Sequence, residues 1–144
     1  MNDMVKPVVI AITATQQLTG EQAEQLQLVT EGSYCYEPGY IRFSYVETEM
    51  TGLEGVVTSF VVEDESRVTL RRTGKVNVEM VFVPGERHES LYDAGVAAML
   101  VGVEAKNITV LLNEHGGIFD FSYAIDVERS ACGVNSYHVE IREA

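Results

Sequence analysis

Hydrophobic and polar residues alternate along most of the chain, which is the pattern of β-strands. Between Ile41 and Phe82 the alternation recurs in several runs separated by short polar or glycine-containing segments. Successive side chains of a strand point to opposite faces, so the parity of the apolar residues identifies the face that meets the core. The inward set is predicted to be Ile41, Phe43, Tyr45, Val68, Leu70, Val76, Val78, Met80 and Phe82. The run from Val56 to Val62 is apolar on both faces, and its orientation stays open.

Two charged residues fall on inward positions of these predicted strands. Continuing the parity of Tyr45 brings Glu47 inside, and continuing the parity of Leu70 brings Arg72 inside. Because an isolated buried charge is costly, two inward charges of opposite sign favour a pair. We therefore predict that Glu47 and Arg72 meet. The alternative is that each residue lies at a strand end, from which its side chain reaches water.

The rest of the chain predicts further strands and no well-defined helix. The predicted strands are Pro7 to Thr15, Leu26 to Tyr34, Arg87 to Tyr92, Gly95 to Val103, Asn107 to Leu112, Phe119 to Val127 and Asn135 to Ile141. The segment Gln16 to Glu24 lacks an apolar stripe and is predicted to be a polar connection. Glycines and valines in the segment Gly95 to Val103 favour a strand over a helix.

About eight to ten short strands with frequent turn signals indicate an all-β domain. An antiparallel meander must cover its edge strands, and closure into a barrel is the usual solution at this size. With no linker, repeat or low-complexity segment, residues 1–144 are predicted to form a single β-barrel domain. A barrel of about eight strands either holds one small ligand or is filled by side chains.

The composition is acidic and excludes several classes of partner. The chain of 144 residues has 22 Asp and Glu against 10 Lys and Arg, a formal net charge of -12. Such a surface repels the phosphates of nucleic acids and of anionic membranes, so neither is predicted as a partner. The apolar runs are much shorter than the roughly 20 residues of a membrane helix. The N-terminal residues lack a signal-peptide pattern, so a cytoplasmic location is predicted.

The cysteines and histidines form no recognisable chemical motif. Cys35 and Cys132 lie far apart and outside any CxxC or Cys/His spacing, which predicts no zinc site and two thiols, although pairing with each other stays open. His88, His115 and His138 have no Asp or Glu at a characteristic spacing. We therefore predict no catalytic residue, no metal and no cofactor, and leave enzymatic activity undecided.

Several short motifs follow one another in a characteristic order. They are Thr30-Glu31-Gly32, Tyr45-Val46-Glu47, Val68-Thr69-Leu70-Arg71-Arg72-Thr73-Gly74, Met80-Val81-Phe82, Phe121-Ser122-Tyr123 and Gly133-Val134-Asn135. In this order and spacing the chain resembles, over nearly its whole length, the YwiB-like proteins, a bacterial domain of unknown function. The resemblance implies a lipocalin-like (calycin) β-barrel and no established activity. The family's Arg-x-Gly falls on Arg72 to Gly74, and its acidic position falls on Glu47.

The chain departs from this family at one place. After Tyr92 it carries Asp93-Ala94-Gly95 where the family has a longer Thr-Pro-aromatic-Gly turn, and Ala105 stands near an expected threonine. The resemblance therefore implies a barrel rim that differs at this point.

The inward aromatic residues and Arg72 predict a lumen that suits a small amphipathic or anionic ligand. Its predicted lining is Phe43, Tyr45, Glu47, Phe60, Arg72, Met80, Phe82, Phe121 and Tyr123. A carboxylate or phosphate is the natural partner of one inward arginine. Two alternatives remain: the same side chains fill the barrel, or the protein is an interaction or homodimerisation module that uses an uncovered strand or the segment Gly95 to Val103.

Overall fold

The computed structural model describes residues 5–64 and 66–144, which form ten strands and one turn of 3-10 helix. The strands are β1 (Lys6–Leu18), β2 (Glu24–Glu37), β3 (Tyr40–Val46), β4 (Val57–Glu63), β5 (Arg67–Thr73), β6 (Val78–Phe82), β7 (Arg87–Asp93), β8 (Ala98–Asn113), β9 (Gly116–Val127) and β10 (Ser130–Glu143). The 3-10 helix, Glu49–Thr51, lies between β3 and β4. No helix in these ranges is long and apolar enough to cross a membrane.

All ten strands belong to one antiparallel sheet. Their order is β6-β5-β4-β3-β2-β1-β10-β9-β8-β7, so most neighbours in the sequence are also neighbours in space. The exception is β1, which pairs with β10 from Val8 opposite Glu143 to Leu18 opposite Gly133. This pairing joins a meander of six strands to a meander of four, and it confirms the predicted all-β antiparallel barrel.

The barrel is nearly closed, and β6 and β7 face each other across the seam. Two isolated bridges connect them at their ends, Asn77 to Asp93 and Val83 to Glu86. Six residue steps separate Asn77 from Val83, whereas seven separate Glu86 from Asp93, so the β7 side carries one extra residue. These two bridges are the only pairings described between β6 and β7, so the seam lacks the ladder that joins every other neighbouring pair of strands.

The inward parity predicted from the sequence is confirmed. Phe43 and Phe60 are fully buried and stack with ring centroids 4.8 Å apart, and Phe119 meets both rings edge-on. The orientation of the run from Val56 to Val62 is also settled, since its even-numbered residues face inward. Each such aromatic pair adds about 0.5–1.5 kcal/mol beyond simple burial, so this cluster is a major part of the core.

Two predicted boundaries differ from the structure. The polar connection predicted for Gln16 to Glu24 is shorter in the structure and covers residues 19–23. Gln16 pairs with both β2 and β10, and Gln17 pairs with β10, so both residues belong to β1. The strands predicted at Gly95 to Val103 and Asn107 to Leu112 are one long strand, β8, with a bulge between Ala105 and Asn107. Backbone pairing with β7 and β9 outweighs local sequence preference at both places.

One end of the barrel collects the connections 19–23, 47–56, 74–77, 94–97 and 128–129. We call it the open end. Strands β3 and β5 terminate there, which brings Glu47 and Arg72 to the open end; Arg72 is level with Thr58 and Tyr45, two residues before Glu47. Cys35 on β2 and Cys132 on β10 are not joined to each other by a disulfide.

Candidate functional site

A cavity of about 600 Å³ lies at the open end, between β1, β2, β3, β5, β10 and the connection from β3 to β4. Its lining mixes apolar and polar side chains. The apolar ones are Ile12, Ala14, Leu26, Leu28, Met50 and Leu53. The polar ones include Tyr45, Glu47, Thr51, Arg72, Asn135, Ser136 and Tyr137. Strands β1 and β2 supply aliphatic residues and also Thr15, Gln16, Glu24 and Gln25, whereas β3, β5 and β10 supply polar ones.

Glu47 is buried, with 3% of its surface exposed, and both of its carboxylate oxygens accept hydrogen bonds. Thr58 Oγ1 donates to Oε2 at 2.6 Å, and Thr51 Oγ1 donates to Oε1 at 2.9 Å. Burial without such partners would be strongly unfavourable for a carboxylate. The two threonines therefore make an inward acidic residue tolerable at this position.

Arg72 completes the pair that the sequence predicted. Its Nε lies 3.8 Å from Glu47 Oε2 and donates to Thr58 Oγ1 at 3.4 Å. Thr58 thus stands between the two charges, accepting from the arginine and donating to the carboxylate. The arrangement follows from the strand register, because Tyr45, Thr58 and Arg72 are directly opposite one another across β3, β4 and β5.

The guanidinium of Arg72 remains charged. Burial lowers its pKa, but interactions with Tyr137, Tyr123 and Tyr45 raise it, and the net shift is upward. An arginine side chain is always protonated in proteins, so the positive charge persists beside the cavity. The Arg72 side chain keeps 14% of its surface exposed, and it is part of the cavity lining.

Neutral hydrogen-bonding groups surround this charge pair. Burial raises the pKa of Tyr45, with a further contribution from the negative charge of Glu47. Burial also raises the pKa of Tyr123, whose hydroxyl accepts a hydrogen bond from Asn135 Nδ2 at 3.2 Å. The other amide atom, Asn135 Oδ1, is buried and has no hydrogen-bond partner within residues 5–64 and 66–144. These phenols therefore act as neutral donors and acceptors, not as acids.

The structure divides the predicted site residues into two groups. A ligand-binding role stays a prediction for all six residues. Tyr45, Glu47 and Arg72 line the cavity. Phe60, Met80 and Tyr123 are not among the residues that line it. They belong to the packed core with the other predicted lining residues Phe43, Phe82 and Phe121. Strand parity predicts which side chains point inward, but it does not say at which height along the barrel axis the packing stops.

Several residues in or beside the cavity were not singled out from the sequence. The buried Thr58, which bonds Glu47 without lining the cavity, escaped notice because its strand is apolar on both faces. Thr51 lies in a connection where parity has no meaning. Asn135 and Tyr137 fell on the inward parity of the last strand, which was the only available signal.

Two carboxylates hold the imidazole of His138. His138 points outward from β10, its Nδ1 2.5 Å from Asp120 Oδ1 and its Nε2 3.0 Å from Glu140 Oε2. Hydrogen bonds to Glu140 and Asp120 raise the pKa of this imidazole. Since both ring nitrogens face carboxylates, neither is placed to activate a hydroxyl nucleophile. Within the described ranges, no group of three or more His, Cys, Asp or Glu side chains could hold a metal ion.

Comparison with known proteins identifies a family. Residues 10–141 match the model of a domain of unknown function, DUF1934. The fold is similar to the crystal structure of the ywiB protein from Bacillus subtilis, with a TM-score of 0.79 and 19% sequence identity over 97% of this chain and 93% of that one. No curated protein matches the sequence. The lipocalin-like relationship remains a prediction, but the chain belongs to the DUF1934 family of YwiB-like β-barrel domains.

Proposed function

We propose that this barrel binds a small amphipathic molecule with an anionic group in the cavity at its open end, without catalysing a reaction. The observation that carries the proposal is the position of Arg72. It is the only cationic side chain among the described residues that line the cavity. A guanidinium presents several donors in a fixed plane, which suits a carboxylate, sulfonate or phosphate.

The aliphatic part of the lining supports an apolar body for the ligand. Ile12 of β1 is the cross-strand neighbour of Leu28 of β2, and Leu26 follows on the same face, so these side chains lie together in the lining. A volume of about 600 Å³ lies within the range of roughly 300–1,000 Å³ that is typical of small-molecule sites. A ligand with an anionic head and an apolar body would match both Arg72 and these aliphatic side chains.

The arrangement of Glu47 favours binding over catalysis. Both of its oxygens accept hydrogen bonds from threonine hydroxyls, and the Arg72 charge lies beside it. A general base needs an oxygen directed at the substrate. In this geometry the carboxylate instead organises the barrel interior.

A second candidate function is self-association. Val46 and Val57 are cross-strand neighbours at the open end, and both side chains are substantially exposed on the outer face. Met50, in the adjoining connection, is 58% exposed. These exposed apolar side chains at the open end are surface that a second copy of the chain could cover.

Native mass spectrometry of protein purified from its own host tests both candidates. Under the first proposal, the native spectrum contains a small bound molecule that disappears after denaturation. Arg72→Met should lose this molecule, whereas Arg71→Met should keep it, because Arg71 points outward and pairs with Glu79. A spectrum with no retained mass would contradict ligand binding, and a dimer in the same spectrum would favour self-association.

A further inference from the structure

We infer that Glu47 competes with the bound anion for Arg72, and that this competition controls the loop beside the cavity. The loop is residues 48–55, called here the cavity loop. The inference rests on the proposed function and adds its regulation. Glu47 is suited to this role because it connects the charge of Arg72 to the loop: Oε2 faces Arg72 and Thr58, while Oε1 accepts from Thr51.

The cavity loop is closed at its base by the backbone of Glu47. The Glu47 amide donates to Val56 O at 2.8 Å, and the Gly55 amide donates to Glu47 O at 3.1 Å. Gly52 and Gly55 have φ of 77° and 87°, a left-handed conformation that favours glycine. The loop is therefore a compact unit with a fixed neck and conformationally permissive residues inside it.

A hydrogen bond between two side chains, called here the tie, holds this loop against the barrel interior. Thr51 Oγ1 donates to Glu47 Oε1 at 2.9 Å, and the loop also contributes Met50 and Leu53 to the cavity wall. The same hydroxyl lies 3.1 Å from Thr48 O, a second acceptor inside the loop. When the Glu47 carboxylate moves, Thr51 can keep a hydrogen bond within the loop. Release of the tie therefore leaves no buried donor unsatisfied.

One arginine cannot fully stabilise both a ligand anion and the Glu47 carboxylate. Two like charges in a poorly hydrated site repel each other, and each loses part of the stabilisation that a single anion would receive. Glu47 therefore lowers the affinity of the cavity for anions. In the empty barrel the Glu47 carboxylate interacts with Arg72. An entering anion weakens this interaction, and with it the hydrogen bond from Thr51 to Glu47.

The affinity part of the inference is tested with two fluorescent probes of the same shape. Anilinonaphthalene sulfonate carries an anionic group and an aromatic body, and phenylnaphthylamine has the same rings without the charge. Glu47→Gln should tighten binding of the sulfonate by about tenfold or more, because one nearby negative charge is removed. It should leave phenylnaphthylamine binding unchanged within about twofold. The matched control is Glu49→Gln, which removes an exposed charge from the cavity loop itself.

The loop part is tested by amide hydrogen exchange of the full chain. The Gly52, Gly55 and Val56 amides all donate hydrogen bonds within the loop or at its neck, so they report its opening. Saturation with anilinonaphthalene sulfonate should accelerate their exchange in the wild type. Thr51→Val should accelerate it without any probe, since this change removes the tie and leaves the charges intact.

The outcomes separate this inference from the proposed function. If Arg72→Met abolishes sulfonate binding while Glu47→Gln behaves like Glu49→Gln, the anion site exists and the competition does not. Exchange that is unchanged or slower when the probe is bound, or unchanged in Thr51→Val, overturns the control of the loop. If the sulfonate binds neither the wild type nor Glu47→Gln, the proposed function and the inference both fall. Near-ultraviolet circular dichroism of each variant verifies that it is folded.

Discussion

Arg72 Nε lies 3.8 Å from Glu47 Oε2 inside the barrel, too far for a direct hydrogen bond and close enough for a strong charge interaction. Arg72→Met removes the positive charge and leaves the carboxylate buried. Breaking a buried ion pair in this way typically costs about 3–5 kcal/mol. We expect a loss of this size in the free energy of unfolding, measured by urea denaturation.

Arg71→Met is the control for this change. Arg71 is adjacent in sequence but exposed, and its Glu79 partner also lies on the outer face, so little change is expected. A loss below about 1 kcal/mol in Arg72→Met would show that Glu47 does not depend on its charge.

The hydroxyl of Thr58, which lies between the two charges, is predicted to contribute to the stability of the fold. Thr58→Val keeps the shape of the side chain but removes the hydroxyl that donates to Glu47 at 2.6 Å. The carboxylate then loses a donor in a buried site, and we expect a loss of about 1–3 kcal/mol in unfolding free energy. Thr69→Val, on the outer face of β5, makes the same chemical change at a half-buried position. Equal stability of Thr58→Val and the wild type would rule out the bridging role.

Gly32 permits a close approach between β2 and β3. A Cβ at this position would collide with the backbone oxygen of Ser44 and the Cδ1 atom of Ile10. Because a backbone oxygen in a paired strand cannot move aside, Gly32→Ala should destabilise the protein by about 1–3 kcal/mol, as overpacking does. The melting temperature and unfolding free energy measure this loss.

Gly102→Ala provides the comparison for Gly32→Ala. Its added Cβ would meet the end of the Arg87 side chain and Asp126, which are flexible and on the outer surface. We expect a smaller loss of stability, since these side chains can shift. A larger loss in Gly102→Ala than in Gly32→Ala would contradict this account of both glycines.

His138 should make stability depend on pH in a definite direction. Its pKa in the folded protein is raised above the ordinary value of 6.5 by Glu140 and Asp120, so the protonated ring stabilises the fold. This contribution is complete below about pH 6.5 and disappears as the pH rises through the raised pKa. The difference in melting temperature between wild type and His138→Gln should therefore shrink from pH 6 towards pH 9.

Asp120→Asn tests the cause of that effect. Removing the carboxylate 2.5 Å from Nδ1 should weaken the pH dependence without abolishing it, because Glu140 remains. A difference that stays constant, or grows, as the pH rises would show that the ring is not stabilised in its charged form.

Side-chain parity accounts for what could be predicted from the sequence. A one-residue error would turn every side chain of a strand to the other face, so a clear alternation fixes the inward set. Glu47 and Arg72 were identified in this way, although each lies near a strand end. The sequence did not indicate the direction of Thr58, because valines occupy both faces of its strand. Only the pairing with β3 and β5 determines that it points inward.

The contact between His138 and Asp120 could not be predicted from the sequence. His138 lies opposite Asp120, but β10 contains a bulge between Ala131 and Gly133 that shifts the register by one residue. Counting from the turn without this bulge would place His138 opposite Phe119. A bulge inserts one unpaired residue and leaves only a weak local signature, so the charge contact at His138 appears only in the folded barrel.

The seam between β6 and β7 gives the barrel a preferred place to change its circumference. Every other pair of neighbouring strands is fastened along its length, so widening the wall there would break a row of hydrogen bonds. The seam is fastened at its two ends alone and already carries an unmatched residue. Val78 of β6 pairs directly with Arg72, so a slight spreading at the seam would move one side of the arginine's surroundings. Separating β6 from β7 would therefore break fewer backbone hydrogen bonds than separating any other neighbouring pair of strands.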